Sequence, residues 1–344
     1  MGARLVPRQN RPPIDARAPT PTSHDHEVSG VIHDRDVMDV GDVRHHGHVP
    51  ELPEVEALAQ YLRGRAGDHA ITEVALGDLN ALKTFEPSLS ALAGTVIADV
   101  QRHGKWLDLW CADADGGVLH LIWHLSRAGW LRWSDALATA PVRPGRSPLA
   151  LRVRLDDGSG FDLTEQGTRK RLAVHVVRDP SQVPQIASLG VEPLSDEFTV
   201  ERFAALLAAR NQQVKGLLRD QGMIAGIGNA YSDEILFVAR TSPFRLTGSY
   251  APDDVTVLHA AIRSVLTEAV DAASGKPAAE LKDSKRRSMR VHGRTGAPCP
   301  GWNGVPCGDT VHEVSFADSS LQYCPTCQTG GRPVADRRLS RLLR

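Results

Sequence analysis

The chain has 344 residues, of which 41% are hydrophobic, and a formal net charge of −1. This length leaves room for two compact domains and a small module, and the near-neutral charge argues against indiscriminate nucleic-acid binding. No apolar run reaches the ~20 residues that a membrane-spanning helix needs. The charge is uneven, because residues 282–344 hold eleven Lys and Arg against five Asp and Glu. Clustered cations of this kind are typical of a DNA-binding segment.

Residues 1–48 lack both the apolar periodicity of a folded segment and the apolar core of a signal peptide. We expect either a disordered leader or upstream translation from a misplaced start. Val49 stands directly before Pro50, and a GTG codon encodes methionine when it initiates translation but valine when it is internal. Removal of that methionine would expose the Pro50 nitrogen as the chain terminus.

The next segment, 49–180, is predicted to be a mostly antiparallel β-sandwich with one helix packed on it. Apolar periodicity predicts the helix over Pro53–Gly67. Alternating β-branched and aromatic residues between glycine turns predict the strands, which fall within Ile71–Leu76, Thr95–Trp110, Val118–Trp133, Leu149–Leu155, Phe161–Thr164 and Leu172–Val177.

The second half of the chain is predicted to be helical and then cysteine-rich, which makes the fold class α+β. A linker at 181–198 precedes a helical domain at 199–290, a cysteine module at 291–329 and a basic tail at 330–344. Helical periodicity covers Glu201–Ala209, Gln213–Gln221, Ala230–Ala239 and Asp253–Ala273. The basic stretch Lys282–Arg294 is predicted to be a loop.

The motif Pro50-Glu51-Leu52-Pro53-Glu54 is the most informative part of the sequence. An internal proline nitrogen is an amide, whereas a terminal one is a secondary amine, and an α-amino group titrates near pH 8. Such an amine can attack a carbonyl carbon and form an iminium ion. The alternative is structural, because proline and acidic residues are also favoured in the first turn of any helix.

Four of the five cysteines form two pairs near the C-terminus, which favours a metal site over a disulfide framework. Cys324 and Cys327 have the two-residue spacing that lets two thiolates bind one tetrahedral zinc ion. Cys299 and Cys307 are separated by seven residues, so the first half of the zinc finger carries an insertion. Free thiols are the alternative.

Two further motifs are weak when taken alone. Gly226-Ile227-Gly228-Asn229 joins two predicted helices, and free amides at a helix N-terminus, with the Asn229 side chain, would suit a phosphate group. Lys105 follows a glycine turn at the start of a strand. A lone lysine in such a place is usually solvated surface.

Taken together and in this order, the motifs resemble the formamidopyrimidine-DNA glycosylase and endonuclease VIII family of base-excision repair enzymes. The resemblance covers Val49 to Cys327 and implies a helix-two-turn-helix domain and one structural zinc ion held by Cys299, Cys307, Cys324 and Cys327. It implies that Pro50 is the nucleophile that forms a Schiff base with deoxyribose, and that Glu51 is the acid that protonates the opening sugar. A second carboxylate of the site would be Glu54, and Lys105 would contact phosphate and donate a proton.

The resemblance further implies that Lys215 and Asn229 grip the DNA backbone around an extruded nucleotide. The expected partner is double-stranded DNA with a damaged base or abasic site, bound by a monomer in the cytoplasm. Glu51 can act as an acid only if its surroundings raise its pKa. One site would then give both glycosylase and lyase activity.

Four departures from the family bear on the substrate and the products. Arg127 stands at the position of a void-filling methionine, and Arg169, Lys170 and Arg171 replace a segment that normally carries an aromatic wedge. The loop that caps an oxidised purine is short, over Lys282–Arg290. Ser319 stands where a zinc-finger arginine serves the second elimination step.

From these departures we expect that 8-oxoguanine is not the preferred substrate and that β-elimination dominates over β,δ-elimination. Arginines of the tail, such as Arg332 and Arg337, are a hypothetical substitute for the missing cation. The alternative function is a non-catalytic protein that binds damaged DNA or abasic sites, with an altered site or a leader that blocks Pro50.

Overall fold

The computed structural model describes residues 49–334, apart from 146, 168, 303 and 317–318. The predicted leader, 1–48, and residues 335–344 of the basic tail lie outside the described residues. The described residues belong to one compact unit. Within the described part of the chain, no helix combines the length and apolar character needed to cross a membrane.

The first helix, α1 (Leu52–Ala66), begins within one residue of its predicted start and packs on two four-stranded antiparallel sheets. One sheet has the strand order β1-β6-β7-β5 and the other the order β2-β3-β4-β8. The strands are β1 (Ile71–Leu76), β2 (Val96–His103), β3 (Trp106–Ala112), β4 (Val118–His124), β5 (Gly129–Ser134), β6 (Leu149–Leu155), β7 (Gly160–Glu165) and β8 (Ala173–Val177).

The predicted sandwich is confirmed, because side chains from both sheets and from α1 share one buried core. Along most strands alternate residues point into this core. On the outer face of the second sheet, Trp106, Ile122 and Val177 form a smaller buried cluster with Val183. Two predicted stretches each proved to be a pair of strands: Thr95–Trp110 is broken at Gly104 and Lys105, and Val118–Trp133 between His124 and Gly129.

The second domain is helical and has its own core. A short helix, α2 (Pro184–Ala187), precedes it and packs on the sandwich. The helices that follow are α3 (Val200–Ala209), α4 (Val214–Arg219), α5 (Asn229–Val238), α6 (Pro252–Ala273) and α7 (Leu281–Ser288). Leu52 of α1 lies in this core rather than in the core of the sandwich, so the first turn of α1 joins the two domains. The cysteine module follows, with β9 (His312–Ser315), β10 (Ser320–Tyr323) and α8 (Pro325–Thr329).

The prediction of a loop over Lys282–Arg294 was wrong, because its first part is the helix α7. Leu281 at the start of α7 is buried in the sandwich core, while Met289, just after its end, is buried in the helical core. Between them the inward-facing position is occupied by Lys285, which is 5% exposed. A charged residue at a buried position removes the apolar period by which a helix is recognised in a sequence.

Candidate active site and cysteine cluster

Pro50 and Glu51 are buried at the start of α1. The backbone N–H of Glu51 donates to the carboxylate of Glu54 over 2.9 Å, which satisfies one of the amides that a helix start leaves unpaired. The N–H of Leu52 donates to the carbonyl oxygen of Gly226 over 3.0 Å. The start of α1 is therefore held both by its own first turn and by the helical domain.

The Glu51 carboxylate lies against the N-terminus of α5. It accepts hydrogen bonds from the backbone nitrogens of Gly228 at 2.6 Å, Ala230 at 2.9 Å and Tyr231 at 3.3 Å. Helix N-termini favour anions because their first amides are unpaired and the helix dipole is positive there. The amides predicted to hold a DNA phosphate thus hold the chain's own carboxylate in this structure.

Two glycines make this close approach possible. Gly226 has φ +86°, and a Cβ atom there would lie 2.7 Å from Cβ of Leu52. A Cβ atom on Gly228 would lie 2.4 Å from Cδ of Glu51. The Gly-x-Gly spacing therefore serves contact between the two domains.

Glu54 is also buried, and two residues that the sequence analysis missed contact it. The hydroxyl of Tyr231 donates to Oε1 of Glu54 over 2.6 Å, and the ammonium of Lys285 donates to Oε2 over 2.8 Å. Lys285 also lies 3.8 Å from Oε1 of Glu51. Tyr231 directly follows the Gly-x-Gly-Asn-Ala segment, so its position in the sequence could have indicated a role at this site. Lys285 lies among several other Lys and Arg residues, and nothing in the sequence distinguishes it from them.

The pKa of Glu51 is shifted in the direction opposite to the one that a resting acid requires. Burial opposes ionisation of this carboxyl, but the nearby Lys285 and Lys105 ammonium groups and the Ala230 amide outweigh burial and lower its pKa. Glu51 is therefore a carboxylate at neutral pH, and it must receive a proton before it can donate one.

Lys105 lies in the turn between β2 and β3, one residue after Gly104, which packs beside the backbone of Gly226. Burial lowers the pKa of the Lys105 ammonium, and the charge of Glu51 offsets only part of that effect. A lowered pKa makes this lysine a better proton donor near neutral pH. The turn thus brings Lys105 to the same site as Glu51 and Glu54.

The predicted DNA-binding arginines lie on two neighbouring loops. Arg127 is exposed between β4 and β5, and Arg169 and Arg171 are exposed between β7 and β8. The backbone N–H of Gln166 donates to the carbonyl oxygen of Ala128 over 3.2 Å, so the loops lie side by side. The buried Glu165 carboxylate accepts the amides of Arg171 and Leu172, at 2.8 and 3.0 Å, and fixes the second loop.

Lys215 and Asn229, the other two predicted DNA-binding residues, are occupied by contacts within the protein. The Lys215 ammonium is 6% exposed and pairs with Asp233. The Asn229 side-chain amide donates to the carbonyl oxygen of Ser320 over 2.7 Å, which ties α5 to β10. Asn229 directly follows Gly228, whose amide holds Glu51, and the Lys215 ammonium donates to the carbonyl oxygen of Asn229 over 3.2 Å, but neither side chain points freely to solvent.

The four cysteine sulfurs of the C-terminal module all lie within 4.8 Å of one another. Two Sγ–Sγ distances are 3.8 Å, for Cys299 and Cys327, and 3.6 Å, for Cys307 and Cys324. Four thiolates at about 2.3 Å from a tetrahedral zinc ion are about 3.8 Å apart. The donor set and its spacing therefore fit one metal ion and the architecture of a zinc finger, despite the insertion after Cys299.

Two family models match the chain. Residues 49–174 match the formamidopyrimidine-DNA glycosylase N-terminal domain, and residues 189–279 match the H2TH domain of the same family. Formamidopyrimidine-DNA glycosylase of Symbiobacterium thermophilum is 33% identical over 297 residues, which cover 83% of this chain and 92% of that protein. An uncharacterised formamidopyrimidine-DNA glycosylase-like protein of Mycobacterium tuberculosis is 53% identical over 161 residues, which are 47% of this chain and 98% of that one.

Solved structures give the same assignment. The MutM (Fpg) protein of Thermus thermophilus superposes with a TM-score of 0.67 at 30% identity, over 83% of this chain and all of that one. Lactococcus lactis Fpg, solved with DNA that contains N7-benzyl-Fapy-dG, superposes with a TM-score of 0.69 at 26% identity, over 81% and 99% of the two chains. This chain therefore belongs to the formamidopyrimidine-DNA glycosylase family.

Proposed function

We propose that this protein is a bifunctional DNA glycosylase and abasic-site lyase of base-excision repair, with the Pro50 nitrogen as its nucleophile. The observation that carries the proposal is the position of Pro50 beside two buried carboxylates, Glu51 and Glu54, with Lys105 at the same site. Membership of the glycosylase family supports the first activity. The lyase activity follows from the chemistry of an amine nucleophile.

In the glycosylase step, the neutral Pro50 amine attacks C1′ of the deoxyribose and the bond from C1′ to the base breaks. The damaged base leaves with the bonding electrons. The nitrogen must then lose its proton, and the ring oxygen O4′ must gain one as the C1′–O4′ bond opens to the iminium ion. The ionised Glu51 is suited to carry that proton, because its lowered pKa makes it an acceptor first and a donor second.

In the lyase step, the iminium ion acidifies the C2′–H bond. Loss of that proton and cleavage of the C3′–O bond release the 3′ phosphate, which is β-elimination. Lys105, with its lowered pKa, supplies a cation and a proton beside the leaving phosphate. Arg127, Arg169 and Arg171 provide exposed guanidinium groups for the DNA backbone, and Lys215 and Asn229 would act there only after leaving their present partners.

The substrate that we propose is an oxidised pyrimidine, a ring-opened purine or a bare abasic site rather than 8-oxoguanine. The segment expected to form a short capping loop is instead the helix α7, anchored at Leu281 and Met289 in two different cores. A packed helix is less able than a loop to close over a large everted base. Fast excision of 8-oxoguanine opposite cytosine would contradict this assignment.

One structural zinc ion would be held by Cys299, Cys307, Cys324 and Cys327. Its role is to fold the C-terminal module, which in turn braces α5 through the contact between Asn229 and Ser320. We further propose that the protein acts on double-stranded DNA as a monomer.

A second candidate function is non-catalytic binding of abasic sites. The observation that favours it is the contact between the Lys285 ammonium and the carbonyl oxygen of Val49, at 3.2 Å. Wherever Val49 stays attached, the Pro50 nitrogen is an amide and cannot form a Schiff base.

The test compares the chain that starts at Met1 with a chain that starts at Pro50. The second chain is made by deleting residues 1–48 and replacing Val49 with an initiator methionine that is removed after translation. Each is incubated with an abasic-site duplex and borohydride, and intact mass reports the cross-link. We expect trapping by the Pro50 form alone. Equal trapping by both forms would assign the nucleophile to a lysine, and binding without trapping by either form would favour the second function.

A further inference from the structure

Lys285 is a buried charged residue that lies outside the expected catalytic set. Its ammonium contacts Oε2 of Glu54 at 2.8 Å, Oε1 of Glu51 at 3.8 Å and the carbonyl oxygen of Val49 at 3.2 Å. It also lies 4.7 Å from the centre of the Tyr231 ring. Surface lysines are solvated and mobile, whereas this one is 5% exposed and fully engaged.

The position of Lys285 is built into the fold. The indole N–H of Trp130 donates to the carbonyl oxygen of Ala278 over 3.0 Å, just before α7 begins. Leu281, one turn before Lys285, is buried in the sandwich core, and Met289, one turn after it, is buried in the helical core. Both ends of α7 are therefore anchored, and the ammonium is held in place before any substrate arrives.

The contact with Val49 places Lys285 beside the nucleophile. The carbonyl oxygen of Val49 and the nitrogen of Pro50 belong to one peptide unit, so the ammonium lies within about 5.5 Å of that nitrogen. When Pro50 is the terminus, Val49 is gone and the two amines face each other. An amine next to another cationic group is more easily deprotonated, and this is one way in which enzymes activate amine nucleophiles.

We propose that Lys285 is a positioning residue of this site, whose ammonium keeps the terminal amine of Pro50 neutral and nucleophilic and holds the carboxyl groups of Glu51 and Glu54 in place beside it. The proposal rests on the proposed function, since it concerns the same nucleophile. Without Lys285, two buried carboxylates beside the Pro50 amine would favour its protonated, unreactive form.

The other charged and titratable groups that face Lys285 do not replace it. Glu51 and Glu54 lie at the start of α1. Tyr231, on α5, donates its hydroxyl hydrogen to Glu54 and carries no positive charge. Lys105, on the turn between β2 and β3, is a second cation. In the part of the chain that the structure describes, the side chains that donate a hydrogen bond to Glu54 are those of Tyr231 and Lys285, not that of Lys105. His292 affects Glu51 from a greater distance and is paired with Asp233 at 2.8 Å.

The experiment measures the pH dependence of single-turnover nicking on a pre-formed abasic-site duplex, with chains that start at Pro50. Lys285→Met should move the acid limb of the profile up by about one pH unit, so that nicking is about tenfold slower at pH 6 and nearly restored at pH 9. Lys285→Arg should keep the wild-type midpoint, because it keeps the charge.

Arg286→Gln is the matched control, since it removes one positive charge from the next position of α7, where the side chain is exposed and paired with Asp283. Its midpoint should not move. If Lys285→Met does not fold, Lys285→Gln is a second neutral replacement that keeps an N–H donor for Glu54.

A uniformly slower Lys285→Met variant with an unmoved midpoint would overturn the proposal while leaving the proposed function intact. A borohydride cross-link that peptide mapping places on Lys285 would overturn both the proposal and the assignment of Pro50 as the nucleophile. Failure of the wild-type Pro50 chain to trap DNA at all would overturn both.

Discussion

The carboxylate of Glu51 lies 2.6 Å from the backbone nitrogen of Gly228. This bond joins Glu51, directly before α1 of the sandwich domain, to Gly228, directly before α5 of the helical domain. The geometry of the site is therefore also the geometry of the domain interface, and a change on either side should alter both.

Gly228→Ala should disrupt the site, because the added Cβ would lie 2.4 Å from Cδ of Glu51. We expect single-turnover nicking of an abasic duplex to fall by about 100-fold, the usual effect of misplacing a catalytic group by about 1 Å. Gly64→Ala is the control: it lies in α1 with open space around it, and it should add about 0.5–1 kcal/mol of stability without a loss of rate. A Gly228→Ala variant that nicks at the wild-type rate would show that Glu51 does not need this contact.

Cys327→Ser should abolish metal binding, because three thiolates and a hydroxyl no longer satisfy a structural zinc site. Mass spectrometry of metals should report about one zinc per wild-type chain and almost none in the variant. We expect Tm to fall by at least about 5 °C, since the module braces α5. Cys111→Ala, a change in the sandwich core away from the cluster, should keep its zinc. Zinc retained in Cys327→Ser would contradict the four-cysteine assignment.

Ser319→Arg should add δ-elimination to the product mixture. Ser319 lies in the turn between β9 and β10, where its carbonyl oxygen accepts the N–H of Phe316 at 2.7 Å, and serine supplies no cation for a second leaving phosphate. Denaturing gels of a nicked abasic duplex should show mainly the β-elimination product for the wild type and more 3′ phosphate for the variant. Thr310→Arg, which adds the same charge at another exposed position of the module, is the control. A wild-type enzyme that already yields clean 3′ phosphate would disprove the assignment.

His124→Gln should make the protein more resistant to acid. Burial, with help from the Lys105 charge, lowers the pKa of His124 to about 4, and the neutral ring accepts the N–H of Ser126 at 3.1 Å. Between about pH 6.5 and 4 the unfolded chain binds a proton that the folded one excludes, so stability falls as pH falls through this window. Denaturant unfolding should show that the wild type loses about 2 kcal/mol more than the variant between pH 7 and pH 5.

His69 provides a control of opposite sign for that measurement. Its hydrogen bond with Asp156 raises its pKa, so its contribution to stability is fully present below the unfolded pKa and is lost as pH rises through the folded pKa. His69→Gln should therefore cost more stability at pH 5 than at pH 7. Equal pH dependence of the wild type and His124→Gln would contradict the account of His124.

Much of the fold was predictable from local patterns. Period-2 alternation and glycine turns indicated the sandwich, and helical periodicity located α1, α3, α5 and α6 to within a few residues. The Cys324-Pro-Thr-Cys327 spacing predicted that these two thiols share a site, because two intervening residues suffice to bring both sulfurs to one ion. The long spacing between Cys299 and Cys307 gave no such guarantee, and only the fold brings all four together.

The sequence by itself therefore determined the elements and the presence of Pro50, Glu51, Glu54 and Lys105, since these depend on short stretches of chain. Tertiary structure alone decided the burial of those groups, the charges near them and therefore their pKa values. Glu51 has a lowered rather than a raised pKa because amides of α5 and a lysine 234 positions later in the chain converge on it. Charge interactions depend on distance in space and on burial, and neither can be computed from the order of residues until the chain is folded.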